Sequence, residues 1–145
     1  MKRTGKIILL MLLMVLLHSC ENVFHNDELD FLWRLDSVEF IDGLDFNGNE
    51  CSKANMEGIW ISFARDLVKV ENKKTGFVVI GVLTEKDEQL TFDFSMYQEE
   101  EWPGTDYGLN QMGIEAKVSS FNITELSRKK LVLTGSKTIL RLTKW

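Results

Sequence analysis

The stretch Leu90-Thr91-Phe92-Asp93-Phe94-Ser95-Met96-Tyr97 puts large apolar side chains at every even position and polar ones at 91, 93 and 95. A period of two is that of a β-strand with one face on a core, because successive side chains leave a pleated strand on opposite sides. Upstream, residues 77–83 (FVVIGVL) are apolar throughout and rich in β-branched side chains, which predicts a strand covered on both faces. Gly81 within it predicts a bulge or a sharp bend of the kind a closing sheet needs. Residues 86–88 turn the first of these strands into the second, and 72–76 (NKKTG) form the turn that precedes them.

The same alternation extends outward in both directions. Residues 33–40 form a first strand and 59–63 a second that continues through 67–70. Ile114, Ala116 and Val118 alternate with polar residues, and Phe121 and Ile123 continue the pattern. Residues 131–134 face 138–143 across Gly135-Ser136, a hairpin signal because glycine accepts the positive φ of a primed turn. About eight short strands joined by short turns predict an all-β antiparallel meander, and closure into a barrel is what removes its exposed edges. Residues 98–112 (QEEEWPGTDYGLNQM) break the pattern; they exceed a hairpin turn in length, and a short helical turn near 105–112 is expected there, ended by Gly113 in the left-handed conformation.

Ahead of this domain, Lys2, Arg3 and Lys6 precede eleven unbroken apolar residues, 7–17. That is the length of an export-signal core, whereas a membrane-spanning helix needs about twenty apolar residues. The run ends in Leu17-His18-Ser19-Cys20, which resembles the lipobox of bacterial lipoproteins through Leu17, Ser19 and Cys20, with His18 departing at a place usually small. The resemblance implies that residues 1–19 are a lipoprotein signal peptide and that Cys20 becomes the first residue of the mature chain and carries a lipid, palmitate among its acyl chains. It also implies that the protein meets a membrane through that N-terminal lipid, in the cell envelope at the outer membrane, on its periplasmic face or at the cell surface. Two acyl chains hold firmly, at about 0.8 kcal/mol per buried methylene.

Residues 20–30 read as an acidic tether, with Asn22, Asn26, Asp27, Glu28 and Asp30 and too few apolar residues for a core of their own. Residues 31–145 are the size of one domain. Removing the leader takes 17 basic residues to 14 against 22 acidic, a net charge of −8, which argues against nucleic acid as a partner. An acylated Cys20 has no thiol to pair, so Cys51 is expected as a lone, apolar filler.

With its strands placed, the chain resembles the small lipocalin-like lipoproteins of gut-dwelling Gram-negative anaerobes. The resemblance rests on Leu32-Trp33-Arg34-Leu35, on Gly58-Ile59-Trp60-Ile61-Ser62-Phe63, and on Phe121–Leu126 with Leu131-Val132-Leu133 and Leu140-Arg141-Leu142. It implies a lipocalin-like barrel in which Trp33 packs under a basic side chain, here Arg141, in a cation–ring contact. Phe31 stands where true lipocalins have glycine, so a wide ligand cup does not follow. Trp60, Phe63, Phe77, Phe92, Phe94, Met96 and Phe121 are candidates for the lining, which suits equally a filled interior and one that holds a small ligand.

His18 leaves with the signal and His25 lies in the tether, so residues 31–145 contain no histidine. Histidine-based nucleophile dyads and the usual ligand of catalytic zinc are therefore missing, and carboxylates are the remaining acid–base groups. Glu99-Glu100-Glu101 reads as a solvated loop. Asp45, Asn47 and Asn49 begin a calcium-loop spacing, but Glu50 and Met56 occupy the places that need glycine and glutamate, so turn chemistry is expected and no metal or other cofactor. Asp36-Ser37-Val38 matches a short O-glycosylation pattern of the same lipoprotein group. Trp102, Pro103 and Tyr107 in the long loop suit recognition, since aromatic side chains anchor contacts.

These features predict a non-enzymatic binding module at the envelope for a small hydrophobic ligand. Trp60, Phe63, Phe92, Phe94, Trp102 and Tyr107 are its candidate contacts. A scaffold for contacts with an envelope protein or glycan, and a hydrolase built on carboxylates alone, are the alternatives.

Overall fold

The structure is a computed structural model that describes residues 28–97 and 105–145. Cys20, His25 and Trp102 lie outside the described residues. Among the described residues nine strands and one short helix follow one another: β1 Leu32–Phe40, β2 Lys53–Asn55, β3 Ile59–Ala64, β4 Leu67–Asn72, β5 Phe77–Lys86, β6 Gln89–Asp93, α1 Thr105–Asn110, β7 Val118–Leu126, β8 Lys130–Thr134 and β9 Thr138–Lys144. All pairings are antiparallel, in the order β2-β1-β3-β4-β5-β6-β7-β8-β9, and β1 also pairs with β9. That last pairing closes eight strands into a barrel; β2 is an extra strand that continues the line of β3 along the second half of β1. Closure leaves few unpaired backbone groups, the physical reason an alternating meander prefers it.

Antiparallel order gives the barrel two rims. The upper rim carries Phe40, Ile59, Asn72, Phe77, Asp93, Val118, Thr134 and Thr138; the lower carries Leu32, Ala64, Leu67, Lys86, Gln89, Leu126, Lys130 and Lys144. Inside, Phe92 packs against Phe63, Phe94 and Phe121 with ring centroids 5.7, 6.4 and 5.1 Å apart. Trp33, Leu35, Ile61, Leu90, Leu131 and Leu133 are fully buried around them. The barrel is filled by its own side chains. Helix α1 stoppers the upper rim: Leu109, Met112 and Ile114 are fully buried, and Thr138 donates its hydroxyl to the Gly113 carbonyl at 2.7 Å. Gly113 is left-handed, with φ +79°, as the sequence predicts.

The structure corrects several expectations. Residues 59–70 are two strands, β3 and β4, with a turn at Arg65-Asp66. β5 is covered on one face only, with Ile80 and Val82 exposed, because no described element packs outside the barrel there. Gly81 marks no bulge: its pairing runs unbroken, and a Cβ there would lie 2.5 Å from both the Asp93 carbonyl and the Phe94 ring. The register breaks instead at Asp36 and Thr124, each an extra residue in its strand. β6 ends at Asp93, whose carboxylate accepts the Ser95 N–H in a turn. Phe94 still reaches the core, but Met96 is exposed and lines nothing. Residues 114–117 are not strand, since Ile114 bonds back to Leu109 and Ala116 to Ser119.

Trp60 does not line the interior. Ile59, Ile61 and Phe63 take the inner side of β3, and the Trp60 ring lies outside, 4.8 Å from Trp145 at 90° and 4.8 Å beneath the Lys73 ammonium. Its indole N–H is buried without an acceptor among the described residues. The expected contact of Arg141 over Trp33 is likewise absent: Arg141 binds Glu39, and Lys144 lies 6.0 Å from the Trp33 ring. Trp33 donates its indole N–H to the carbonyl of Leu29, which is fully buried, so the folded domain begins inside the stretch read as tether. Gly135 has no positive φ; it is there because the Phe121 ring passes 2.9 Å from where a Cβ would stand.

Candidate functional site

Two concave surfaces lie at the upper rim of the described barrel. One groove runs between the β4–β5 turn and α1, lined by Asn72, Thr75, Gly76, Phe77, Tyr107, Gly108 and Gln111, with a volume of about 370 Å³. Local chemistry builds each wall. Asn72 accepts the N–H groups of Lys74 and Thr75 on its side-chain oxygen, which folds the turn, and Gly76 completes it at φ +76°. Gly108 lets the helix rest on the Phe77 ring, since a Cβ there would lie 2.2 Å from it. Tyr107, 67% exposed, projects from the same helix as a free aromatic wall. The groove therefore has an apolar floor, an aromatic side and amide or hydroxyl groups at its edge, a lining that suits an amphipathic molecule.

A second cleft, of about 260 Å³, lies between the loop ahead of β7 and the β8–β9 turn. Ser136 donates its hydroxyl to the Glu115 carboxylate, and Lys137 stands 3.0 Å from the same group. The Ser136 hydrogen bond, followed by that of Lys137, holds the Glu115 carboxyl below the usual carboxylate range. Glu115 is thus anionic at neutral pH and, among the described residues, is the one carboxylate lining this cleft. Glycoside hydrolysis asks for two converging carboxyl groups, and among the described residues neither groove is lined by two. Sequence reading missed this cleft because Glu115 and Ser136, 21 residues apart, carry no local signal of their meeting.

Of the predicted site residues that the structure describes, Phe63, Phe92 and Phe94 are packed in the core, Trp60 lies on the outer wall, and Tyr107 borders the first groove. Ser37 is 5% exposed in β1, between β2 and β9, so a glycan on it would have to be added to the unfolded chain. The Asp45 carboxylate accepts the backbone N–H groups of Asn47 and Asn49 and the Asn49 amide, the turn chemistry expected of that loop. Cys51 is a free thiol, half-buried against the core. No group of three His, Cys, Asp or Glu side chains among the described residues is arranged to hold a metal ion.

Beside this closed eight-stranded antiparallel barrel, the model of the lipocalin-like domain family matches residues 12–145 of the sequence. The chain belongs to the lipocalin-like domain family. Among solved structures, this lipocalin-like domain is similar to a lipocalin-like protein from Bacteroides uniformis ATCC 8492, with 16% identity and a TM-score of 0.60 over 81% of this chain and 99% of that one. It is also similar to an uncharacterized protein from Bacteroides eggerthii DSM 20697, with 16% identity, a TM-score of 0.56 and the same coverage. No curated protein matches the sequence. At such identity the likeness carries the fold and leaves the groove residues to be argued from this chain.

Proposed function

We propose that this lipocalin-like domain is a lipid-anchored, non-catalytic binding module of the cell envelope, exported by residues 1–19 and held to the outer membrane through Cys20. Its ligand is a small apolar or amphipathic molecule, taken in the groove between the β4–β5 turn and α1. The supporting observation is the packing of Phe63, Phe92, Phe94 and Phe121 through the barrel centre, which directs binding to the rim, where Phe77 and Tyr107 offer an apolar surface. Native mass spectrometry of the mature chain, residues 20–145, purified from its own host tests this. A small molecule should accompany the parent and be lost from Tyr107→Ala, with both chains melting alike. Co-purification undiminished by Tyr107→Ala would overturn the assignment.

A second reading, a contact surface for an envelope protein or glycan, draws on the exposure of Tyr107. Capture of a partner that Tyr107→Ala abolishes, with no small molecule in the mass spectrum, would favour it.

A further inference from the structure

Residues 126–145 contain six cations and no acid, in a chain whose net charge is −5. Two of the six are paired, Lys137 with Glu115 at 3.0 Å and Arg141 with Glu39 at 2.8 Å. The other four, Arg128, Lys129, Lys130 and Lys144, stand at the lower rim and make no ion pair among the described residues. Backbone hydrogen bonds join them to the neighbouring strands: Lys144 N–H donates to the Lys129 carbonyl at 2.9 Å, Trp145 N–H to Leu32 at 3.0 Å and Phe63 N–H to Phe31 at 3.3 Å. The β7–β8 turn, the end of β9, the entry to β1 and the β3–β4 turn thus make one continuous arc.

Along that arc large apolar side chains are exposed, Trp145 with one edge of its ring against Trp60. Trp145 is 75% exposed, and Phe31, Leu32 and Leu67 are exposed with it. Arg65 adds a fifth cation, and the Lys144 ammonium lies over the Phe31 ring at 2.8 Å from its centroid. Among the described residues the nearby acids are Glu28, Asp30, Asp66 and Glu125, of which Asp30 accepts the Arg65 N–H. Asp87 and Glu88 lie on the β5–β6 turn, across the rim. Tryptophan and phenylalanine interspersed with lysine and arginine are the side chains that settle at a membrane–water interface, and such cations are drawn to anionic lipid headgroups.

The path of the chain points the same way. The folded domain starts at this rim with the buried Leu29, nine residues after Cys20, a separation of at most roughly 30 Å when extended. We propose that the lower rim, centred on Trp145 and the Arg128-Lys129-Lys130 turn, lies against an anionic phospholipid bilayer, which turns the Tyr107 groove outward from the membrane. The orientation rests on Cys20 as the anchor, whereas the affinity of the rim for lipid does not.

The test uses the mature chain, residues 20–145, carrying Cys20→Ala so that no acyl chain contributes. It should co-sediment with vesicles of one part phosphatidylglycerol to three parts phosphatidylethanolamine, and detach in 0.5 M salt. Replacing Arg128, Lys129 and Lys130 together by Ala should weaken that binding by on the order of a hundredfold while the circular-dichroism melt stays that of the parent; Trp145→Ala, which also uncovers the Trp60 ring, should weaken it severalfold. Equal binding to pure phosphatidylcholine vesicles, no binding to either, or a triple variant that binds as the parent does would overturn the proposal and leave the rim to solvent or to a protein partner. Separately, the mass of the N-terminal peptide from the host protein reports whether Cys20 is acylated. An unmodified Cys20 beside retained vesicle binding would defeat the anchor and leave the docking surface standing.

Discussion

Arg141 clasps Glu39 across the seam where β9 meets β1, its Nε 2.8 Å from one carboxylate oxygen and its Nη2 3.1 Å from the other, 102 residues apart in the chain. The Arg141 hydrogen bond holds the Glu39 carboxyl below its ordinary value of 4.5, and Lys53, 3.6 Å away, acts in the same sense. Glu115, under Ser136 and Lys137, is lowered from the same ordinary value. A carboxyl depressed in the folded state contributes stability that is present above its unfolded pKa and withdrawn as the pH falls through the folded one.

The melting midpoint should therefore hold steady from pH 7 to about 5 and fall progressively below the ordinary value of 4.5. Glu39→Gln combined with Glu115→Gln should shrink that fall. A double variant with an acid transition as steep as the parent's, followed by circular dichroism, would remove these two groups from the account.

Gly81 is the point at which the Phe94 ring and the Asp93 carbonyl touch the backbone of β5. Gly81→Ala places a methyl group 2.5 Å from both, and crowding of this kind costs about 1–3 kcal/mol. Urea denaturation should show a loss in that range, with the slope of the transition unchanged.

Phe92 is fully buried and touches three other phenylalanine rings. Phe92→Ala should cost about 3–5 kcal/mol and open an apolar hollow inside the barrel. A probe such as benzene, followed by NMR, should bind the variant and not the parent. Equal binding to the parent would mean that the interior already holds space.

Asp87 and Glu88 make the β5–β6 turn with φ of 51° and 62°, a left-handed conformation that costs a side-chain-bearing residue about 1–2 kcal/mol. Glu88→Gly should raise stability by up to about 1 kcal/mol in urea titrations and leave ligand binding at the opposite rim unchanged.

The strands were readable wherever one face met the core and the other met water, as at Leu90, Phe92 and Phe94, because burial on one side imposes the period of two. Where a segment is apolar on both sides, periodicity is silent: residues 77–83 read as doubly covered, yet Ile80 and Val82 face solvent. Trp60 misled for a related reason. A large aromatic among Ile59, Ile61 and Phe63 reads as lining, but alternation sends it outward, where Trp145 and Lys73 cover it. Of the groove, sequence named Tyr107 and the turn at 72–76; their meeting over Gly108 depends on a helix laid across strands 30 residues away in the chain.

Local pattern alone dictates an alternating all-β chain, its turns and the left-handed Gly113, because these follow from side-chain size, period and backbone permission within a few neighbouring residues; composition adds that residues 31–145 hold no histidine. Strand closure set the rest: phenylalanines fill the barrel, Arg141 serves Glu39 in place of Trp33, the Asp36 bulge shifts the alternation of β1 so that Val38 and Phe40 join the core, and four cations gather on the rim of Trp145. Each of these depends on which strands lie side by side after closure, a relation between distant residues that no local pattern encodes.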